Sequence, residues 1–139
     1  MILLIIMSKI GMILLEWEDF IIIRGVEIAE RFLEKYKLKK EEISKIKNCI
    51  LRHRNIKNYQ PENLEEKIVA VADTLSHFES IFYFTFFKSF PQYSLRNMVR
   101  TNLRELKKDW QDVKILPKAP QLIKTKYGAL QQFFENYKN

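Results

Sequence analysis

Two side chains of this sequence have types and positions that suit a metal ion, His53 and Asp73. His53 lies near the end of one predicted helix and Asp73 lies inside the next, with a loop containing Pro61 between them. The two helices can therefore fold back on one another and bring the imidazole and the carboxylate together. A neutral imidazole and a carboxylate are ligands that a divalent cation takes from a protein. The alternatives are a solvated helix end at His53 and a helix-capping or helix-bridging carboxylate at Asp73.

Three segments of the chain, 24–33, 49–54 and 64–73, follow one another in the order of the second half of an HD-superfamily domain. The stretch from about 10 to about 80 therefore resembles that family. The resemblance implies an all-α fold and a metal-dependent phosphohydrolase acting on nucleotides or similar phosphate esters. It also implies a divalent metal ion as cofactor, of unknown identity, held in part by His53 and Asp73.

The resemblance carries over only part of the family's ligand set. His53 matches the late His and Asp73 the final Asp, whereas residues 8–11 and the isoleucine run 21–23 stand where other ligands are expected. His77, one helical turn after Asp73, is a further candidate donor on the same face, with a packing residue as the alternative. A catalytic metal site normally has at least three protein ligands and an open position for water. The resemblance thus implies a catalytically impaired member with an incomplete metal site.

A shifted reading frame is an alternative explanation for the missing His-Asp pair. Repeated His codons read one base out of phase encode Ile, and the isoleucine run 21–23 stands where the family has a His. The absence of the His-Asp pair is then either a property of the protein or a consequence of the reading frame in which the upstream DNA was translated.

Length and composition predict one domain in a reducing compartment. The chain has 139 residues, of which 47% are hydrophobic and 29% charged, as in ordinary globular domains. We expect an HD-like core at about 10–80 and C-terminal helices at about 94–137. A single cysteine excludes an internal disulfide framework and indicates a cytoplasmic protein. The apolar N-terminal run is interrupted by Lys9 and is too short for a membrane span, so we expect no membrane partner.

Periodic apolar residues and few Gly or Pro predict an all-α helical bundle. The helix after Pro61, capped by Glu62 or Asn63, is apolar nearly all round at 68–72, which marks it as the central helix. A carboxylate such as Asp73 is costly to bury there unless it is paired, hydrogen-bonded or bound to a cation. The predicted helices are at about 2–15, 20–36, 40–54, 62–89, 95–113 and 121–137.

Two surfaces provide an alternative to catalysis. The aromatic stretch 78–87 is typical of a packing surface for the C-terminal helices, or else of a homodimer contact. A basic strip on the helix 95–113 is typical of a solvated helix face, or else of a phosphate-binding face. A non-catalytic binding or regulatory protein that uses the basic helix or the aromatic patch is therefore the second hypothesis. The resemblance to the HD superfamily separately implies a phosphate ester or nucleotide as ligand, and we do not expect nucleic acid. The basic strip consists of Arg96, Arg100, Arg104, Lys107 and Lys108.

Overall fold

The computed structural model describes residues 20–89 and 93–138, and gives the backbone alone for 86–89. Six helices span these ranges, and within them no β-strand forms, only an isolated bridge between Ile56 and Tyr59. The predicted all-α fold is thus confirmed, whereas the helix predicted at 2–15 lies outside the described residues. The helices are α1 at 20–34, α2 at Lys40–Arg52, α3 at Leu64–Glu79, α4 at Phe82–Ser89, α5 at Leu95–Val113 and α6 at Pro120–Tyr137. None of the helices in the described part is long and apolar enough to cross a membrane.

The chain divides into two compact units between Arg52 and His53. The first unit contains α1 and α2. Gly25 of α1 lies close to α2, because a Cβ built at this position would be 3.9 Å from Cγ2 of Ile50. An ion pair of 2.6 Å between Lys47 Nζ and Glu30 Oε1 adds a second contact between the same helices.

The second unit has its hydrophobic core around α5. This helix packs against α3, α4 and α6, and α3, the helix after Pro61, likewise packs against α4, α5 and α6. The central position predicted for α3 is therefore shared with α5. Ile68 and Val69 of α3 are 49% and 39% exposed, because that helix buries only one side. The buried core consists of Val71, Phe78, Tyr83, Val99, Leu103, Leu106, Val113, Ala119, Ile123 and Phe134.

The long helix predicted from 62 to 89 is interrupted after Glu79. Ser80 has an extended backbone, with φ −125° and ψ −179°, and closes α3. Its hydroxyl then accepts a hydrogen bond from the backbone N–H of Phe82, 3.2 Å away, where α4 begins. A serine that satisfies free backbone N–H groups favours such a helix start, so two helices replace the single predicted one.

The start of α3 is fixed by a reciprocal cap. Asn63, one of the two predicted caps, accepts a hydrogen bond from Glu66 N at 2.9 Å through Oδ1. Asn63 Nδ2 donates in return to Glu66 Oε1 at 2.8 Å, and Glu62 N donates to Glu66 Oε2 at 2.7 Å. This arrangement satisfies backbone donors that have no partner within the helix, and it explains how the carboxylate of Glu66 is buried.

The helices α5 and α6 form an antiparallel pair joined by the turn at 114–119. The rings of Trp110 and Tyr127 stack near this turn, with centroids 4.3 Å apart and planes at 17°. At the other end, Arg100 Nε of α5 donates to the carbonyl oxygen of Lys138, which follows α6, at 3.2 Å. The turn therefore places the end of α6 beside the first half of α5.

Candidate functional site

A basic groove lies where the first half of α5 meets the end of α6. Its volume is about 440 Å³, and the apolar side chain of Leu103 contributes to its lining. The apolar stripe of α5 faces the core, so residues three and four positions apart on the other side of the helix share one surface. The cations that line the groove are Arg100, Arg104, Lys107 and Lys138.

The cations of the groove differ in how firmly they are held. Arg104 is more solvated than Lys107 or Lys138, with 74% of its side chain exposed and a 3.7 Å contact from Nε to Glu105 Oε1. Lys107 Nζ lies 3.2 Å from Glu135 Oε1, and Lys138 Nζ forms an ion pair with Glu135 Oε2. The hydrogen bond from Lys138, followed by that from Lys107, lowers the pKa of Glu135 below its usual value. Glu135 is therefore a carboxylate at neutral pH and neutralises part of the charge of the groove.

The structure brings together part of the predicted basic strip. Arg100, Arg104 and Lys107 line the groove, whereas Lys108 donates to Asp112 Oδ2 of the same helix at 2.7 Å. Arg96 is exposed and is not among the residues that line the groove. Lys138 was not among the residues predicted from the sequence. The signal that could have found it is the short turn marked by Pro117 and Pro120, which fixes the register of the antiparallel pair.

A second polar cluster joins α3, α4 and α5 in the interior. Asp109 of α5 is buried, and its Oδ2 accepts the hydroxyl hydrogen of Tyr83 at 2.6 Å. The same oxygen lies 2.9 Å from Nδ1 of His77. Burial, followed by the hydrogen bond to Asp109, raises the pKa of the Tyr83 hydroxyl far above its usual value. Tyr83 therefore stays protonated and remains a hydrogen-bond donor.

His77 is a packing residue in this structure. Its ring stacks on that of Phe82, with centroids 3.7 Å apart and planes at 4°, and its Nδ1 is held by Asp109. This is the alternative that the sequence left open beside a third metal ligand. The sequence reasoning did not single out Asp109, although a carboxylate on the apolar stripe of α5 was a signal that it needs an interior partner.

The predicted metal ligands occupy separate elements of the second unit. His53 lies in the turn at 53–54, and Asp73 lies in the middle of α3. Both are half-buried, and the side chain of Asp73 has no hydrogen bond or ion pair to another described residue. Within 20–89 and 93–138, no three His, Cys, Asp or Glu side chains are grouped so that they could hold a metal ion. The pair His53 and Asp73 stays a prediction.

Comparisons with known proteins give no family for this chain. No protein-family model matches it, and neither the curated proteins nor the solved structures contain a match. The resemblance to the HD superfamily stays a prediction from the sequence.

Proposed function

We propose that this protein is a non-catalytic helical binding protein that takes a phosphate-bearing ligand in the basic groove of α5 and α6. The observation that carries the proposal is the convergence of Arg100, Arg104, Lys107 and Lys138 on one groove. Phosphate oxygens are acceptors that Arg and Lys bind through charge-assisted hydrogen bonds. A solvated helix face would explain the three cations of α5. It would not explain why a fourth cation, from the end of α6, lies beside them.

The shape of the groove favours a small phosphate ester over an extended polymer. Its volume of about 440 Å³ lies in the usual range for small-molecule sites. The cations cover about two turns of α5, since Arg100 and Lys107 are seven residues apart, or about 10 Å along the helix axis. Such a length matches one or two phosphoryl groups of a single ligand better than the backbone of a long nucleic acid.

Leu103 lines the groove and adds an apolar contact beside the charged side chains. Leu103 is buried at 8% exposure between Arg100 and Arg104 in the helix. Only the exposed edge of Leu103 is available, so it gives an organic part of the ligand, such as a sugar or a base, a small contact while the phosphate contacts the cations. A nucleotide or a related phosphate ester has both parts.

The proposal can be tested by titrating the full chain with inorganic pyrophosphate and with a mononucleotide. Calorimetry measures the affinity, and backbone amide NMR locates the site. We expect binding that weakens with salt, because exposed charges are screened. The amide shifts should be largest around Arg100, Arg104 and Lys138. We expect Arg104→Gln to weaken binding about three- to tenfold, the loss of one exposed charge contact.

A matched control is Lys108→Gln, which removes the same charge from the same helix. Lys108 pairs with Asp112 and does not line the groove, so its loss should change the affinity by less than twofold (roughly the size of a weak, screened charge effect). Equal losses in the two variants would mean that the ligand responds only to net charge, and the groove would not be its site. Absence of any binding in the unmutated protein would also contradict the proposal.

A further inference from the structure

Both carboxylate oxygens of Glu135 are engaged by cations that line the basic groove. Oε1 lies 3.2 Å from Lys107 Nζ of α5, and Oε2 forms an ion pair with Lys138 Nζ. The carboxylate therefore spans two ammonium groups that come from different parts of the fold. It occupies them as an anionic ligand would.

The geometry indicates which ligand could take the place of Glu135. A group that replaces the carboxylate must present two oxygens to two ammonium groups at once. A terminal phosphoryl group does this with three equivalent oxygens and carries up to two negative charges, against one for the carboxylate. The phosphate of a diester has two free oxygens that share a single charge, so it gains less from two lysines.

We propose that Glu135 is a built-in competitor of the ligand, and that a terminal phosphoryl group binds by displacing its carboxylate from Lys107 and Lys138. The inference rests on the proposed function of the groove. It adds that the ligand carries a terminal phosphoryl group and that Glu135 limits its affinity. The opposite role is a positioning one, in which Glu135 holds the two lysines ready for the ligand. The two roles predict opposite effects of removing the carboxylate.

Removal of the charge at Glu135 tests the proposal. In Glu135→Gln the two lysines lose their internal anion, while the side chain keeps its shape and one acceptor oxygen. We expect pyrophosphate to bind the full-length variant about three- to tenfold more tightly than the unmutated protein, because no ion pair has to be broken. Calorimetry at one fixed low salt concentration measures this ratio.

The chain offers a matched control in Glu79→Gln. Glu79 is an exposed glutamate of the second unit, whereas Glu135 is half-buried. Glu79 pairs with one lysine, Lys126, and neither of these two residues lines the groove. The variant changes the net charge by the same amount. An equal gain in affinity in Glu79→Gln and Glu135→Gln would mean that the ligand responds only to net charge. The proposal that Glu135 competes with the ligand would then be wrong.

A second readout follows the carboxylate itself. In the free protein the two lysines lower the pKa of Glu135. Displacement should return its pKa toward the usual value, which a pH titration of the ¹³C signal of the side-chain carboxylate measures with and without saturating pyrophosphate. An unchanged or lower pKa in the complex would show that the ligand leaves both ion pairs in place.

The outcomes separate this inference from the proposed function. If neither protein binds pyrophosphate, both fail. If the unmutated protein binds and Glu135→Gln binds equally or more weakly, the groove stands and Glu135 is a positioning residue or has no role. Tighter binding in Glu135→Gln alone, with Glu79→Gln unchanged, supports the competitor.

Discussion

At the scale of single residues, Asp109 organises the interior of the second unit. One of its oxygens accepts the hydroxyl of Tyr83 and lies within hydrogen-bond distance of His77. These three residues come from α5, α4 and α3, so one buried carboxylate holds three helices in register. A buried charge is tolerated when donors surround it, and removal of one partner leaves the others unpaired in a medium that does not solvate them.

We expect Asp109→Ala to lower the free energy of unfolding by about 2–4 kcal/mol, since it leaves the Tyr83 hydroxyl buried without an acceptor. Tyr83→Phe removes one donor to Asp109 but leaves His77 beside the same carboxylate, so it should cost less. Urea unfolding of both single variants and of the double variant measures the coupling. Strictly additive losses would show that the hydrogen bond between Tyr83 and Asp109 contributes nothing.

The raised pKa of Tyr83 makes stability depend on alkaline pH. In the unfolded chain a tyrosine loses its proton near pH 10, whereas the folded protein keeps the proton on Tyr83. Above about pH 10 the folded state thus binds one more proton than the unfolded state, and its stability falls by about 1.4 kcal/mol per pH unit from this group. Below that pH the contribution is constant.

We expect Tyr83→Phe to flatten this alkaline slope, measured by urea unfolding at a series of pH values from neutral to alkaline. All other titratable side chains are the same in both proteins, so the difference between the two curves isolates Tyr83. Parallel curves would contradict the buried, protonated state of this hydroxyl.

At the scale of helices, the break between α3 and α4 shows where local sequence stops deciding the structure. No Gly or Pro stands at Ser80 or Ile81, and the apolar pattern of the segment predicts one continuous helix. On such a helix His77 and Tyr83 would point about 120° apart. They could not then both reach the same oxygen of Asp109, as they do. The break is therefore favoured by tertiary contacts of Asp109, a residue more than twenty positions away in sequence.

Where local signals agree, the sequence predicted the elements well. The bounds 95–113 of α5 are confirmed, because a long apolar stripe follows Ser94, whose Oγ accepts from Asn97 N at 3.3 Å as an N-cap. The groove was only half predictable. Its α5 cations share one helix face in the sequence, whereas Lys138 and Glu135 reach it through the register of the pair α5 and α6.

Gly128 lowers the stability of α6, although nothing in the packing of the described residues around it requires a glycine there. It lies in the interior of the helix, and a Cβ built there would have no atom within 4 Å. Glycine in a helix interior costs about 0.5–1 kcal/mol relative to alanine, because the unfolded chain has more freedom. We therefore expect Gly128→Ala to raise the free energy of unfolding by about this amount, measured by thermal or urea unfolding. A loss of stability would show that another surface covers this position.

At the scale of the whole molecule, the two units differ in how many of their described hydrophobic side chains are buried. Among the described residues of the first unit, Ile22 and Ile43 are the buried hydrophobic side chains. The second unit has a continuous core that runs through α3, α4, α5 and α6, and it also contains the groove and the Asp109 cluster. The burial of apolar surface is the main favourable contribution to folding, and within the described residues the more extensive buried core is that of the second unit.

This difference predicts unequal local stability along the chain. Backbone amides in a well-buried core exchange with solvent only on global unfolding, whereas amides outside such a core exchange through smaller openings. In native-state hydrogen exchange of the full-length protein we expect the slowest amides in α5, around Leu106 and Val113, and exchange at least tenfold faster in α1 and α2 (about 1.4 kcal/mol of opening free energy). Equal protection in both units would instead mean that the chain opens as one cooperative body, in agreement with the single domain that the sequence predicts.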